Sequence, residues 1–279
     1  MGVLNIVIAV MMMSAIISHA DNSEITGLRG DLVIHIVDDE AEWPPYTYYK
    51  RLKGKKTQEI EGFSIDVVSH ILHRAGIKFT IELLPWKRAL FNVAGGKKNQ
   101  LILNSSYVKE REEDYLYSLS YYSLQHVIFY SAKKYPNGLV LKDIDDLNSN
   151  YKICGLRGYS YGAAGVDTQK VNLSFGTYGQ LIHVLHERPE ICDLFIEGYK
   201  ILPGFKMIGH DYLADMNLKH SIIPGLASKG YHMLISKKLA YRHELKRILD
   251  EGILDMQNSG EMDKVSEKYG LLHHSHEGH

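Results

Sequence analysis

The sequence predicts an α/β protein of two lobes, each a mainly parallel sheet flanked by helices, with two extended crossings between them. Three observations predict it. Strand and helix periodicities alternate from Leu32 to Leu103, an extended aromatic run then breaks the alternation, and a second α/β unit follows before the chain turns extended again. The first lobe is expected from residues 30–124 with 226–272, and the second from 125–225.

The 279 residues open on an almost unbroken apolar run, Val3 to Ile17, then Ser18-His19-Ala20 before Asp21. That run is short for a membrane span and ends in a small-x-small site, so residues 1–20 are expected to be a signal peptide cleaved after Ala20. Its start carries no Lys or Arg, leaving the terminal amine as the only charge there. About 260 residues would remain, enough for two lobes of roughly 100–150 each.

In the first lobe, Leu32 to Val37 is apolar on both faces, as a buried parallel strand requires. After a polar loop, Ile65, Val68, Ile71, Leu72 and Ala75 fall at helical spacing, with Ser64 as N-cap and Gly76 as terminator. Phe79, Ile81 and Leu83 alternate as a strand, Trp86 to Val93 fits a helix ended by Gly95-Gly96, and Leu101 to Leu103 is the next strand. The aromatic run through His126 to Tyr130 reads as the first crossing. The second lobe offers strands at Tyr151–Leu156 and Cys192–Ile196 around a helix near Leu181–His186. Tyr231 to Ser236 is the return crossing, and Leu245, Ile248, Leu249, Ile253 and Met256 form one helical stripe closed by Ser259-Gly260, with a short helix to Tyr269. Clefts at such lobe interfaces, facing the carboxyl ends of strands, are where α/β folds bind ligands.

A net charge of −1 gives no broad basic face, which argues against nucleic acid and against an anionic membrane surface. The two cysteines, Cys154 and Cys192, are either a disulfide on neighbouring strands or two small buried core residues. The His-rich end, residues 273–279, follows the last helix and reads as a disordered tail rather than a metal site. Signatures of enzymes are missing: there is no His-Glu-x-x-His, nucleophile elbow, Walker loop or clustered Cys/His spacing. No metal and no cofactor is expected. Gly155-Leu156-Arg157-Gly158-Tyr159-Ser160-Tyr161-Gly162 instead offers backbone N–H groups and the Ser160 hydroxyl to an anion such as a carboxylate.

Five segments in order resemble the family 3 extracellular solute-binding proteins, the polar amino acid receptors of bacterial ABC importers. These are Trp43-Pro44-Pro45-Tyr46 with Gly62-Phe63-Ser64-Ile65-Asp66; Leu101 to Arg111 with Ser118 to Tyr122; Gly158-Tyr159-Ser160-Tyr161; Asp193 to Glu197; and the closing helix–Gly–helix to Tyr269. Together they span nearly the whole chain after residue 20. The resemblance implies a type II periplasmic binding fold of the Venus flytrap kind, a periplasmic location, a monomer, and a permease partner in the inner membrane. It implies that Arg111 grips a ligand carboxylate, with Ser106 beside it, and the planar guanidinium suits that bidentate pairing. It further implies that Trp43 and Trp86 sandwich the ligand, that Glu197 meets its ammonium, and that Glu40 recognises a basic side chain. The chain departs from the family pattern at Asn99, Val108 and Tyr159, and Arg157 precedes the anion turn. Tyr159 and Arg157 are therefore expected in the cleft, suiting a larger, aromatic or more acidic ligand. An enzyme on the same fold, acting on cyclohexadienyl acids, and a stand-alone sensor are the alternatives.

Overall fold

The computed structural model describes residues 32–272. The signal peptide expected at 1–20 and the tail at 273–279 lie outside them. The chain runs β1 (Val33–Asp39), β2 (Tyr48–Leu52), β3 (Lys55–Glu61), α1 (Phe63–Arg74), β4 (Lys78–Leu84), α2 (Trp86–Gly95), β5 (Leu101–Ser106), β6 (Tyr115–Tyr117) and β7 (Tyr122–Leu124). It crosses over into β8 (His126–Ser131), α3 (Ile144–Asn150), β9 (Ile153–Leu156), β10 (Asn172–Phe175), α4 (Tyr178–Glu187), β11 (Leu194–Gly198), α5 (Ile201–Gly204) and β12 (Leu218–Ile222). It returns through β13 (Lys229–Ser236) to α6 (Arg242–Ser259) and α7 (Glu261–Lys268).

Two sheets result. The first has the order β4-β1-β5-β13-β6, with β7 also on β13; the second has the order β10-β9-β11-β8-β12. In each, three parallel strands meet one antiparallel strand that carries the chain across: β13 beside β5, and β8 beside β11. Because β1 is covered on both faces, Ile34 and Ile36 pack with Val67, Val68, Ile71 and Leu72 of α1 and Leu245 and Leu249 of α6, while Val37 packs with Ala89 and Val93 of α2. Each such burial stabilises by about 1.5–3 kcal/mol. Where α1 and α6 approach, a Cβ on Gly252 would lie 2.5 Å from the Ile71 side chain, so only glycine fits there.

Three expectations need correction. Ser64 does not cap α1; Gly62 does, at φ 136°, where a Cβ would strike the Tyr46 carbonyl, and Ser64 sits inside the first turn. The polar loop after β1 is in fact folded: Trp43 bridges Thr47, and β2–β3 form a hairpin. Arg51 grips both oxygens of the buried Glu42 at 2.9 Å, a pairing that charge-rich sequence hides among surface residues. Third, β11 begins at Leu194, so Cys192 lies ahead of the strand rather than on it.

Asn104, within β5, ties the first sheet to the elements around it. Its backbone is left-handed (φ 55°), a conformation asparagine tolerates better than most residues. Its carbonyl oxygen accepts from Ser64 Oγ of α1 and from the Tyr121 and Tyr122 hydroxyls, and its amide nitrogen donates to Asp38 of β1 and to Thr47. One buried side chain thus joins a strand, a helix start, a loop and a crossing.

The crossings are themselves linked. Gln125, between β7 and β8, donates through Nε2 to the Leu226 carbonyl of the return crossing, and its Oε1 accepts from Ser228 Oγ at 3.2 Å. Deeper in the second lobe, Cys154 and Cys192 form a disulfide with Cα atoms 5.8 Å apart.

Two outcomes follow for stability. Thiol counting on unfolded, unreduced protein should find none free at these positions, and joint replacement of Cys154 and Cys192 by Ser should cost about 4 kcal/mol of unfolding free energy, from the entropy of a 38-residue loop. Asn104→Ala should cost more than about 3 kcal/mol by leaving several buried partners unpaired. Urea denaturation reads both, and a loss below about 1 kcal/mol for Asn104→Ala would deny it the linking role.

Candidate functional site

A cavity opens where the carboxyl ends of β1 and β5 face those of β9 and β11. The first lobe lines it with Asp38, Asp39, Trp43, Trp86, Asn104, Ser106 and Arg111. Across from these stand Tyr159, Ser160, Tyr161, Ile196 and Glu197, and the crossings add His126 and Tyr231.

Of the residues expected here, Trp43, Trp86, Ser106, Arg111, Tyr159, Ser160 and Glu197 are brought together. Glu40 and Arg157 are not. Strand β1 runs on to Asp39, so the chain turns at Glu40 and exposes its side chain, and Asp39 caps that turn by accepting from Ala41 N–H. The acidic groups in the cavity are Asp38 and Asp39 instead. Arg157 continues the β9–β10 ladder through its N–H to the Phe175 carbonyl, and its exposed guanidinium donates to the Ser174 carbonyl.

Arg111 follows β5 on a short helical turn, half-buried. Its Nη1 donates to Ser105 Oγ at 2.8 Å, and its guanidinium carbon lies 5.7 Å from the Trp86 ring centre. Burial lowers its pKa, yet guanidinium stays cationic at any physiological pH. No ion pair joins Arg111 to any described residue. A half-buried cation without an anion is a site for one.

Glu197, next to last in β11, stands across the cavity and is only 5% exposed. Burial raises its pKa to about 7, against the opposing pull of the Tyr178 hydroxyl and of Gly198 N–H at 2.7 Å. Burial likewise raises Asp38 to about 7, although Thr47, Asp39 N–H and Asn104 favour its charge. It raises Asp39 as well, against the opposing pull of Ala41 N–H and of Tyr159 across the cavity.

The glycine-spaced segment after β9 forms the opposite rim. A Cβ on Gly155 would fall 2.5 Å from the Tyr161 ring, so glycine lets that ring fold back, where its oxygen accepts from Leu156 N–H at 2.7 Å. Gly158, at φ 90°, then makes the turn that presents Tyr159 and Ser160.

Asp38, Asp39, Asn104, His126, Tyr161, Ile196 and Tyr231 escaped the sequence reading. A signal existed for four of them. The two Asp directly follow the first apolar strand, and His126 and Tyr231 begin the two extended runs read as crossings. Trp43, expected to sandwich a ligand, is 8% exposed and packs 5.6 Å from Tyr46 and 5.1 Å from Tyr231 between ring centres, so it is as much core as wall.

Residues 34–272 match the bacterial extracellular solute-binding proteins, family 3. No curated protein matches the chain by sequence. Among solved structures, the amino acid ABC transporter substrate-binding protein AbpA of Streptococcus pneumoniae, bound to L-arginine, is 21% identical at a TM-score of 0.66, covering 85% of this chain and 94% of its own. The arginine-, lysine-, histidine-binding protein ArtJ of Geobacillus stearothermophilus is 19% identical at 0.64, covering 85% and 95%. An ancestral amino acid-binding protein, a precursor of cyclohexadienyl dehydratase, is 17% identical at 0.63 with the same coverage. At these identities the likeness speaks for the two-lobed type II periplasmic binding fold. With the family matched across all but seven C-terminal residues of the chain after residue 33, this protein belongs to the family 3 bacterial extracellular solute-binding proteins.

Proposed function

We propose that the protein captures a free amino acid between its lobes and hands it to an ABC importer of the inner membrane. The observation that carries this reading is the opposition of an unpaired Arg111 guanidinium to the buried Glu197 carboxyl across one cavity. That is the charge complement of an α-amino acid. Arg111 and Ser106 hold the carboxylate with help from Ser160, Glu197 receives the ammonium, and Trp86 supplies an apolar wall. Residues 32–124 with 226–272 act as one lobe and 125–225 as the other, closing by rotation about the crossings. The neighbours AbpA and ArtJ, with their cationic amino acids, support the ligand class. A periplasmic, monomeric receptor with its signal peptide removed completes the proposal.

An enzyme is the second reading. A carboxyl held near pKa 7 beside a cavity is what a general acid needs, and one neighbour precedes a dehydratase. We assign no turnover to this chain. Incubation with cyclohexadienyl acids should leave them unchanged, and product growing in proportion to protein would establish the enzymatic reading.

A thermal-shift screen over the amino acids tests the main proposal, since a ligand that binds only the native state stabilises it by RT ln(1 + [L]/Kd). Arg111→Ala should keep the fold and weaken binding by more than tenfold, about 2–5 kcal/mol, in calorimetry. Unchanged affinity would remove the carboxylate assignment.

Binding should also depend on pH in a set direction. A carboxyl with a folded pKa near 7 holds its proton across the range where the unfolded chain has lost it, so native stability without ligand falls as pH rises from about 4.5 to 7. An ammonium pairs with the ionised form, so affinity should rise across pH 5.5 to 8 and protons should be released on binding below pH 7. Glu197→Gln should flatten that rise, which calorimetry in buffers of different ionisation enthalpy will show. An equally steep rise in the variant would clear Glu197 of the role.

A further inference from the structure

We propose that Trp43 and His126 form a subsite at the hinge side of the cavity that reads an uncharged polar group on the ligand side chain. This rests on the amino acid reading above. Trp43 Nε1 and His126 Nδ1 are buried side-chain atoms without a hydrogen-bond partner among the described residues. Both residues line the cavity, and each is 8% exposed. The three cavity carboxyls, by contrast, all have partners: Asp38 in Asn104 and Asp39 N–H, Asp39 in Ala41 N–H, Glu197 in Tyr178 and Gly198 N–H. The two buried polar atoms without any partner are at the hinge.

Tyr231 joins the two residues into one unit. Its ring centre lies 5.1 Å from that of Trp43 and 6.4 Å from that of His126, and its hydroxyl is 3.3 Å from His126 Nε2. An indole N–H can only donate. The imidazole is uncharged, because burial, with Lys229 near it, pushes its pKa down to about 4. One imidazole nitrogen faces the tyrosine hydroxyl, which leaves Nδ1 to a ligand.

A subsite of indole, phenol and neutral imidazole discriminates between side-chain heads. A cation can donate to His126 Nδ1 but leaves the indole N–H without an acceptor. A second carboxylate would enter a cavity that already holds three carboxyls. An apolar head buries both nitrogens unpaired, at about 1–3 kcal/mol each. A carboxamide satisfies both: its oxygen accepts from Trp43 Nε1, and its NH2 donates to His126 Nδ1 while Nε2–H donates to Tyr231. Sites built to hydrogen-bond a ligand group reject the analogue lacking it more strongly than apolar pockets reject an extra methylene.

Calorimetry with L-glutamine, L-norleucine and L-arginine as probes tests the subsite. Wild-type protein should bind glutamine at least about tenfold tighter than either of the others. Trp43→Phe, which keeps a ring and deletes the N–H, should shrink that preference to under about threefold, weakening glutamine and relieving norleucine of the unpaired N–H it would bury. His126→Phe should do the same through the other nitrogen. A wild-type preference for norleucine or arginine overturns the subsite whether or not the variants fold, and so does a glutamine preference that survives both substitutions. Failure of all three probes to bind, where Arg111→Ala likewise changes nothing, would instead remove the amino acid reading and the subsite with it.

Discussion

The side-chain amide of Asn104 is the constraint on which the site depends. Five hydrogen bonds converge on this amide, three on its oxygen and two from its nitrogen, from groups of β1, α1, the loop after β1 and the segment Tyr121–Tyr122. Those are the elements that also present Asp38, Trp43 and Tyr231 to the cavity, the last through the stacking of Tyr122 on it at 4.9 Å. Losing the amide would therefore misplace several ligand-facing groups at once. The left-handed backbone at Asn104 belongs to the same arrangement, since it turns the end of β5 so that the side chain reaches inward.

Charge in the cavity is managed by protonation. Three carboxyls and one guanidinium share a small buried volume, and full ionisation of all three acids would leave a net negative cavity. Burial prevents this by holding Asp38 and Glu197 near pKa 7. In the proposed function an arriving ammonium takes the place of a proton, and the guanidinium, bonded to Ser105 Oγ but in no ion pair with any described residue, is open to a carboxylate. The site is thus balanced for a ligand bearing both charges and is poorly matched to one bearing a single charge.

Much of the fold could be read from sequence because its strands are buried on both faces. Leu32–Val37, Leu101–Leu103 and His126–Tyr130 are continuous apolar or aromatic runs, and the stripe from Leu245 to Met256 has clean helical spacing. The β2–β3 hairpin escaped because Tyr48–Leu52 and Lys55–Glu61 are mostly solvated and carry no alternation to detect. At the site, Arg111, Trp86 and Glu197 stood out through family resemblance, each at the end of an element the pattern had already located. Glu40 was expected in place of the cavity acids Asp39 and Asp38, one and two residues before it, because nothing local says where β1 stops, and a strand that runs on exchanges an exposed acid for buried ones. Arg157 failed for a related reason: whether a residue past a strand end faces the cleft depends on the neighbouring strand's ladder, which is a property of the sheet.

Gln125 has a mechanical consequence. Two strands that cross independently between lobes allow bending, twisting and sliding of one lobe past the other. Bonds from Gln125 to Leu226 and Ser228 fasten the two crossings side by side, so twisting or sliding would have to break them, whereas rotation about an axis through both leaves them intact. Under the proposed closure the linkage favours that single rotation, which would bring Arg111 and Glu197, on opposite walls of the cavity, back to the same register.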